Sequence, residues 1–260
     1  MSRIPNAFRD KNAFIAFITA GDPDLETTKQ LILEMEQAGT DLIELGIPFS
    51  DPVAEGLVIQ KADERALTVG TTTDKIFDMV REIRKVSQIP LVFLTYINPI
   101  FVYGTEHFIK RCEECGIDGL IVPDLPYEER EELLPYCNAC GIDLIPLIAP
   151  TSEDRIRMIA QEAQGFVYCV SSMGVTGVRQ NITTDIGHMV SLVREVSDIP
   201  CAIGFGVSTK KQAQQMIAQA DGVIVGSAIV KLIGEYGKDA VKPVADYVKG
   251  MKKAILEVKL

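Results

Sequence analysis

The chain has no tryptophan and only two histidines in 260 residues. Because His107 and His188 both fall in segments with helical patterning, a histidine-based metal site or a serine–histidine triad fits poorly. No apolar run approaches the ~18 residues of a membrane-spanning helix, and residues 1–10 lack the apolar core of a signal peptide. These absences predict a cytoplasmic protein that does not span a membrane.

Positive charge is also scarce, with 26 lysines and arginines against 36 aspartates and glutamates and a net charge of −10. An acidic balance argues against nucleic acid or an anionic membrane surface as the main partner. It leaves room for a small anionic substrate, because a pocket can be positive in an acidic protein. The apolar fraction of 47% and the charged fraction of 24% are ordinary for a globular protein. The length predicts a single domain over residues 1–260.

Six cysteines are too few for a disulfide scaffold in a chain of this size, so a reducing compartment is expected. Cys112-x-x-Cys115 and Cys137-x-x-Cys140 have the spacing of zinc-binding pairs. Each pair, however, lies late in a predicted helix rather than in a tight turn. The pattern therefore favours helix packing and no metal site, with zinc as the alternative.

A short motif recurs along the chain: a small residue, Gly, any residue, Asp and then an apolar run. It occurs at residues 38–41, 115–118 and 140–143, with a degenerate copy at 219–221. Glycine commonly follows the last turn of a helix, and an uninterrupted apolar run is typical of a buried parallel strand. The repeat therefore predicts helix-to-strand units.

Eight apolar runs are strand candidates, and helix-like segments separate many of them. The strands are predicted at residues 14–19, 42–45, 91–95, 119–122, 144–148, 166–170, 201–204 and 222–225, with helices at 74–86, 106–115, 128–140 and 210–219. Eight such units in about 250 residues predict an α/β fold, a (β/α)8 TIM barrel. A doubly wound open sheet is the alternative, but no GxGxxG follows the first strand.

Two connections are long: residues 47–73 after the second strand and 171–187 after the sixth. In a barrel both lie at the C-terminal face, where active sites are built. Long loops in compact domains are usually functional, and both are rich in Gly, Ser and Thr. The pattern predicts loops that close over a site.

Two glycine-bearing turns predict a phosphate site. The seventh strand runs into residues 204–209 (GFGVST) and the eighth into 225–228 (VGSA), each with Ser at a plausible helix start. Backbone N–H groups and the positive end of a helix favour an anion there, and barrels often bind phosphate after these two strands. Residues 174–177 (GVTG) would close over the same site. The alternative is that these residues only form turns and N-caps.

An acid, Glu44, interrupts the apolar second strand. A carboxylate there is costly to bury unless it is paired or neutral, and its place near the strand end is typical of a catalytic residue. The alternative is a buried acid satisfied by hydroxyl groups. Asp51 could form a loop turn, Glu55 could be a solvated charge, and Asp124 could be a helix N-cap.

Several segments together resemble the tryptophan synthase alpha chain family over nearly the whole chain. They are residues 17–23 (FITAGDP), 44–60 (ELGIPFSDPVAEGLVIQ), 123–126 (PDLP), 171–177 (SSMGVTG), 204–208 (GFGVS) and 226–231 (GSAIVK). The resemblance implies a (β/α)8 lyase that cleaves indole-3-glycerol phosphate to indole and glyceraldehyde 3-phosphate by a retro-aldol reaction. It implies no cofactor in this subunit and a pyridoxal-phosphate beta subunit as partner, in an α2β2 complex that receives the indole.

The resemblance also implies roles for individual residues. Glu44 matches the family's catalytic glutamate, a proton shuttle, and Tyr168 its catalytic tyrosine. The implied phosphate contacts are Gly177, Gly206, Gly226 and Ser227, and the implied substrate pocket is formed by Phe17, Tyr96, Thr176 and Phe205.

The chain departs from the family at the second carboxylate. The usual family loop reads DPLADGP, with an aspartate that bonds the indole N–H, whereas this chain has Glu55 in its place and Leu57 in place of the proline. Misplacing a catalytic group by about 1 Å can cost ~10²-fold in rate. Two alternatives to an active lyase follow: a regulatory, phosphate-binding partner of the beta subunit, or a different phosphate-binding barrel enzyme. A Schiff-base aldolase would require a lysine on a strand inside the barrel, and no predicted strand has one.

Overall fold

All adjacent strands of the sheet run parallel. The computed structural model describes residues 2–10, 12–170, 186–204 and 206–258. Its strands are β1 (Ala13–Thr19), β2 (Leu42–Gly46), β3 (Leu91–Leu94), β4 (Gly119–Ile121), β5 (Asp143–Leu144), β6 (Leu147–Ile148), β7 (Val167–Val170), β8 (Cys201–Gly204) and β9 (Gly222–Val225). Their order in the sheet is β5-β4-β3-β2-β1-β9-β8-β7-β6.

Helices separate the parallel strands, as such connections require. They are α1 (Ile4–Ala7), α2 (Leu25–Gln37), α3 (Leu57–Thr68), α4 (Thr73–Arg84), α5 (Ile97–Tyr103), α6 (Thr105–Cys115), α7 (Leu134–Cys140), α8 (Glu153–Gln161), α9 (Ile186–Arg194), α10 (Lys210–Ile217), α11 (Ser227–Tyr236) and α12 (Val241–Leu256), with 3-10 helices at Tyr127–Glu132 and Gly237–Ala240. None of these described helices is long and apolar enough to cross a bilayer.

The segment predicted as one strand at residues 144–148 is two short strands, β5 and β6. Pro146 lies between them and has no N–H to donate to a ladder. The N–H of Ile145 donates to the carbonyl of Leu120 at 2.9 Å, and the carbonyl of Pro146 accepts from the N–H of Tyr168 at 3.0 Å. The same segment thus bonds to β4 on one side and to β7 on the other. This closes the predicted (β/α)8 barrel, with β5 and β6 as its fifth strand.

Side chains alternate between two cores, as the period of two along a strand requires. The larger core lies between the strands and the helices. The smaller core fills the barrel and contains Ile15, Leu42, Val92, Ile121, Ile145, Phe166, Tyr168, Ala202 and Ile224. Ile4 of α1, fully buried, belongs to the same cluster, so the N-terminal helix covers the bottom of the barrel.

The aspartates of the sequence repeat tie neighbouring strands together at this lower end. The Asp118 carboxylate accepts the N–H of Leu91 at 2.9 Å, while the N–H of Asp118 donates to the carbonyl of Leu91. Asp41 forms the same pair of bonds with Phe14. The degenerate copy at Asp221 does so with Cys201. In three of its four copies the repeat therefore fixes where one strand starts relative to its neighbour.

The long connection after β2 contains a helix. Helix α3 is amphipathic, with Ile59, Ala62 and Ala66 buried against the barrel, so the irregular part before it is only residues 47–56. Of the long connection after β7, residues 171–185 lie outside the described residues.

Candidate active site

Glu44 lies on β2 with its side chain in the barrel. It is in register with Phe17 on β1 and Val92 on β3, and it shares the inward face with Leu42, two residues earlier. Only 1% of the residue is exposed. Among the described residues, its Oε1 atom has no hydrogen-bond partner. The alternative of a buried acid satisfied by hydroxyl groups is therefore not supported for this oxygen.

Burial raises the pKa of Glu44 to about 8, because the low-dielectric interior disfavours the charged form. At neutral pH the carboxyl is then mostly protonated. A group in this state can donate a proton and take one back near physiological pH, which suits a general acid–base residue.

Tyr168 lies on β7, inside the barrel and almost fully buried. Burial and the nearby charge of Glu44 raise the pKa of the phenol well above its usual value. The hydroxyl lies against β8, because a Cβ on Gly204 would come within 2.3 Å of the Tyr168 Oη. Tyr168 is thus a neutral hydrogen-bond donor held opposite the acid.

Phe17 provides the apolar wall next to Glu44. Its ring lies over Gly46, because a Cβ built on that glycine would lie 2.8 Å from the Phe17 Cζ. Its side chain also lies against Gly226, where a built Cβ would be 3.3 Å away. It packs with Ile59 and Ala62 of α3 at the top of the barrel. A flat apolar surface of this kind fits an aromatic ring.

Glu55 is not a solvated charge; it is 7% exposed and turned onto α3. Its side chain is in hydrogen-bonding contact with Asp63 and with Tyr96. Burial raises the pKa of both acids, and the Glu55 charge adds to the effect at Asp63, whose pKa rises to about 9. Asp63 was not among the residues predicted from the sequence. The available signal was its spacing, because an acid four residues after Ile59 and three before Ala66 falls on the apolar face of α3.

Tyr96 supports the segment that carries Glu55. Its hydroxyl accepts the N–H of Ala54 at 3.1 Å, and its ring lies 5.5 Å from that of Phe49, centroid to centroid. Tyr96 is 1% exposed. In this structure it therefore packs under residues 47–56, at the edge of the predicted substrate pocket.

Two other acids have local structural contacts. Asp124 accepts the backbone N–H of Ile97 at 3.0 Å, so it caps α5 from the neighbouring connection. The exposed Asp51 carboxylate accepts a hydrogen bond from Ser50.

The two glycine-bearing turns differ in whether their N–H groups are occupied. At α10, the side-chain oxygen of Gln212 accepts the N–H groups of Ser208 and Thr209 at 3.0 and 3.1 Å. At α11, no side chain of the described residues caps the helix. Gly226 and Ser227 thus lie at an uncapped helix N-terminus, which favours an anion.

Gly206 has a positive φ of 78°, a conformation that glycine adopts at little cost. It follows β8 and so belongs to the same end of the barrel as Gly226. The remaining predicted contacts, Thr176, Gly177 and Phe205, lie outside the described residues.

The cysteines of the two CxxC pairs are close to one another, as the zinc alternative requires. Cys112 is buried near Cys115, Cys137 and Cys140. Burial raises the pKa of Cys112 well above its usual value, which disfavours the thiolate that binds zinc. In the part of the chain that the structure describes, no group of three or more metal-ligating side chains is arranged to hold a metal ion.

Comparison with known proteins agrees with this geometry. The family profile described as "Tryptophan synthase alpha chain" matches residues 6–256. The tryptophan synthase alpha chain of Alkaliphilus metalliredigens is 48% identical, over 96% of this chain and 96% of that protein.

Solved structures give the same result. The alpha chain from Legionella pneumophila superposes with a TM-score of 0.88 at 35% identity, covering 99% of this chain and 98% of that one. A chain from the tryptophan synthase a2b2 complex of Pyrococcus furiosus superposes with a TM-score of 0.86 at 35% identity, covering 93% and 98%. The profile match over residues 6–256 and the 48% identity to a relative over nearly its whole length show that the chain belongs to the tryptophan synthase alpha chain family.

Proposed function

We propose that Glu44 performs both proton transfers in the cleavage of indole-3-glycerol phosphate to indole and glyceraldehyde 3-phosphate. The lyase activity, a step of tryptophan biosynthesis, follows from family membership. The observation that supports the proposed role is a fully buried carboxyl with a pKa of about 8, one oxygen of which has no hydrogen-bond partner among the described residues.

The reaction begins with protonation of the indole ring. The Glu44 carboxyl donates its proton to C3, which places positive charge on the ring nitrogen and weakens the bond from C3 to the glycerol chain. The resulting carboxylate then accepts the proton of the hydroxyl on the adjacent glycerol carbon. As that carbon becomes the aldehyde, the electrons of the broken C–C bond restore the indole ring, and Glu44 is again protonated.

Glu55 stabilises the charge that develops on the ring nitrogen by accepting the indole N–H. A carboxylate that meets the charge only as it develops lowers the barrier rather than the energy of the bound substrate. Tyr168 donates a hydrogen bond to substrate oxygen near Glu44, and its neutral state follows from its raised pKa.

The phosphate group is held at the start of α11 by Gly226 and Ser227, with Gly206, Thr176 and Gly177 completing the site. Phe17 and Phe205 line the slot for the indole ring, and Tyr96 forms its edge. The support for this arrangement is the uncapped N-terminus of α11 beside Phe17.

The chemistry needs no cofactor in this subunit, because the protonated indole ring itself accepts the bonding electrons. The partner is a tryptophan synthase beta subunit in an α2β2 complex, as in the Pyrococcus furiosus structure, and we propose that the pyridoxal phosphate belongs to that partner. We further propose that residues 1–260 act as one domain, supported by the pairing of β1 with β9. We also propose that the protein acts in the cytoplasm, supported by its membership of a biosynthetic enzyme family.

The test is indole release from indole-3-glycerol phosphate, with and without a beta subunit. We expect Glu44→Gln to abolish turnover, because the amide is isosteric but cannot transfer the proton. In the unaltered protein we expect kcat to fall as the pH rises through about 8, since the acid form is lost above its pKa. Undiminished turnover by Glu44→Gln would refute the assignment. Absence of cleavage by the unaltered protein, together with activation of the beta subunit, would favour the regulatory alternative.

A further inference from the structure

Two carboxyl groups meet at the top of the barrel, and the family motif accounts for only one of them. Glu55 lies in the segment before α3 and Asp63 lies within α3, and their side chains are in hydrogen-bonding contact. They are 7% and 4% exposed. Ionised carboxylates only accept hydrogen bonds, so this contact requires one proton between the two groups.

The surroundings of Asp63 fix where it lies. Thr19 at the end of β1 and the backbone of Phe49 both contact its carboxyl. Two residues further along α3, Arg65 forms a two-pronged ion pair with the buried Asp22, at 2.7 and 2.8 Å. Helix α3 is therefore anchored near the top of β1 at Asp63 and at Arg65.

The backbone at Glu55 is also held. Its carbonyl accepts the side-chain amide of Gln60 at 2.7 Å, and the preceding N–H, of Ala54, donates to the Tyr96 hydroxyl. The position of the Glu55 carboxyl therefore depends mainly on its own side-chain torsions, of which glutamate has one more than aspartate.

The two oxygens of Glu55 are in different situations. Among the described residues, Oε2 is buried with no hydrogen-bond partner, whereas the carboxyl as a whole contacts Asp63 and Tyr96. A buried acceptor without a donor is costly and is rare in folded proteins. A protonated Asp63 side chain would supply the missing donor.

We propose that Asp63 is a positioning residue for the cleavage reaction, which shares a proton with Glu55 and thereby holds the longer glutamate so that its other oxygen faces the indole N–H. The proposal rests on the proposed function and adds a residue to it. The extra methylene that separates this chain from the usual family motif is accommodated by a hydrogen bond to α3. Asp63 itself does not touch the substrate.

Within this proposal, Asp63 carries the shared proton at neutral pH. The pKa of Asp63 is raised to about 9 by burial and by the Glu55 charge, so Glu55 carries the negative charge and Asp63 is the donor. Tyr96, at the end of β3, is the other titratable group that faces the pair, and its pKa is raised by burial and by Glu55 and Asp63. Helix α11 also packs on α3, but its charged residues Lys231 and Glu235 are exposed. Above pH 9 a second charge next to Glu55 would push the two side chains apart.

The first test compares Asp63→Ala and Asp63→Asn in the full-length protein with its beta subunit. We expect Asp63→Ala to lower kcat at least tenfold with little change in KM, because an error of about 1 Å in placing a catalytic group can cost ~10²-fold. We expect Asp63→Asn to retain most of the turnover, since its amide still donates to Glu55.

The pH profile gives a second readout. A plot of the logarithm of kcat against pH should fall at alkaline pH with a limiting slope of −2 in the unaltered protein and of −1 in Asp63→Asn. Asp143→Asn is the matched control, because Asp143 is a half-buried aspartate with a raised pKa at the other end of the barrel.

The second test does not depend on turnover. A difference infrared spectrum between the unaltered protein and Asp63→Asn at pH 7 should contain the carbonyl band of a protonated aspartic acid, and Glu55→Gln should shift it. If that band is present while no indole is released, the lyase function fails and the shared proton stands. Absence of the band, or an Asp63→Ala variant with unaltered kcat and slope, would overturn the proposal. Equal losses of turnover in both Asp63 variants with unchanged slopes would overturn it as well, by showing a merely structural role.

Discussion

Glu44 and Tyr168 face each other across the barrel from opposite strands. With β5 and β6 counted as one strand, β2 and β7 are four positions apart in either direction around the ring. The two side chains are close enough for the Glu44 charge to raise the pKa of the phenol. A substrate at the top of the barrel thus has an acid on one side and a neutral donor on the other.

Removing the Glu44 carboxyl is expected to change how stability depends on pH. Its pKa is about 8 in the folded state and ordinary when unfolded. The folded protein therefore keeps a proton that the unfolded chain releases, and stability falls as the pH rises from about 4.5 to about 8. Relative to the unaltered protein, Glu44→Gln should therefore gain on the order of 4–5 kcal/mol of stability between pH 4 and pH 9. Urea denaturation at both pH values measures the difference. The same measurements on Glu64→Gln, an exposed acid of α3, should show no such change.

A methyl group on Gly204 is expected to displace Tyr168. The added Cβ would lie 2.3 Å from the phenolic oxygen, far inside van der Waals contact, so the ring must move. We expect Gly204→Ala to lower kcat ~10²-fold, comparable to Tyr168→Phe, as positioning errors of that size do. Gly222→Ala, on the adjacent strand at the lower end, is the control and should keep its kcat. Unchanged kinetics in Gly204→Ala would contradict the placement of Tyr168.

A negative charge at the start of α11 is expected to weaken substrate binding. Ser227→Asp would place a carboxylate in the first turn of the helix, where it interacts with the positive end of the helix dipole, and would repel the phosphate group. We expect KM to rise at least tenfold with kcat nearly unchanged, and inorganic phosphate to lose its ability to compete with substrate. Thr209→Ala, which removes the side-chain cap of α10, should cost about 1 kcal/mol of stability and leave KM as it is. A similar rise of KM in both variants would show that the phosphate group of the substrate is not bound specifically at α11.

The loss of Asp118 is expected to destabilise the protein without affecting catalysis. Its carboxylate pairs with Arg3 at 2.9 Å and with the buried Arg84 at 3.0 Å. Breaking a buried pair typically costs about 3–5 kcal/mol, because the remaining charge is left uncompensated. Thermal and urea denaturation of Asp118→Ala should show this loss, while kcat of the folded protein stays the same. Asp78→Ala breaks an exposed pair with Arg81 and should cost less than about 1 kcal/mol.

The barrel could be predicted because its signals are local. Apolar runs, helix periodicity and the glycine–aspartate repeat each reflect a few consecutive residues, and seven of the eight predicted strands are single strands in the structure. The fifth was wrong in detail, because Pro146 interrupts the strand at the point where it changes partner. That change depends on which strands adjoin it, which the local pattern does not contain.

The site was predicted less completely, because parts of it depend on contacts between segments that are distant in the sequence. Glu44 was identifiable because an acid within an apolar strand violates a local rule. Asp63 was not, since its importance comes from a contact with Glu55 that forms only when α3 folds onto the barrel. The difference between the two glycine-bearing turns also depends on a side chain, Gln212, that lies outside both motifs.

The hydrogen bonds at the lower end of the barrel have a consequence for the upper end. Asp41 fixes where β2 starts relative to β1 through its two bonds to Phe14, and Glu44 follows three residues later. A slip of one residue would turn Glu44 out toward the helices. The position of Glu44 along the barrel axis and the direction of its side chain are therefore determined by hydrogen bonds at the opposite end of the barrel. Loops around the upper end can change in length or sequence without moving it.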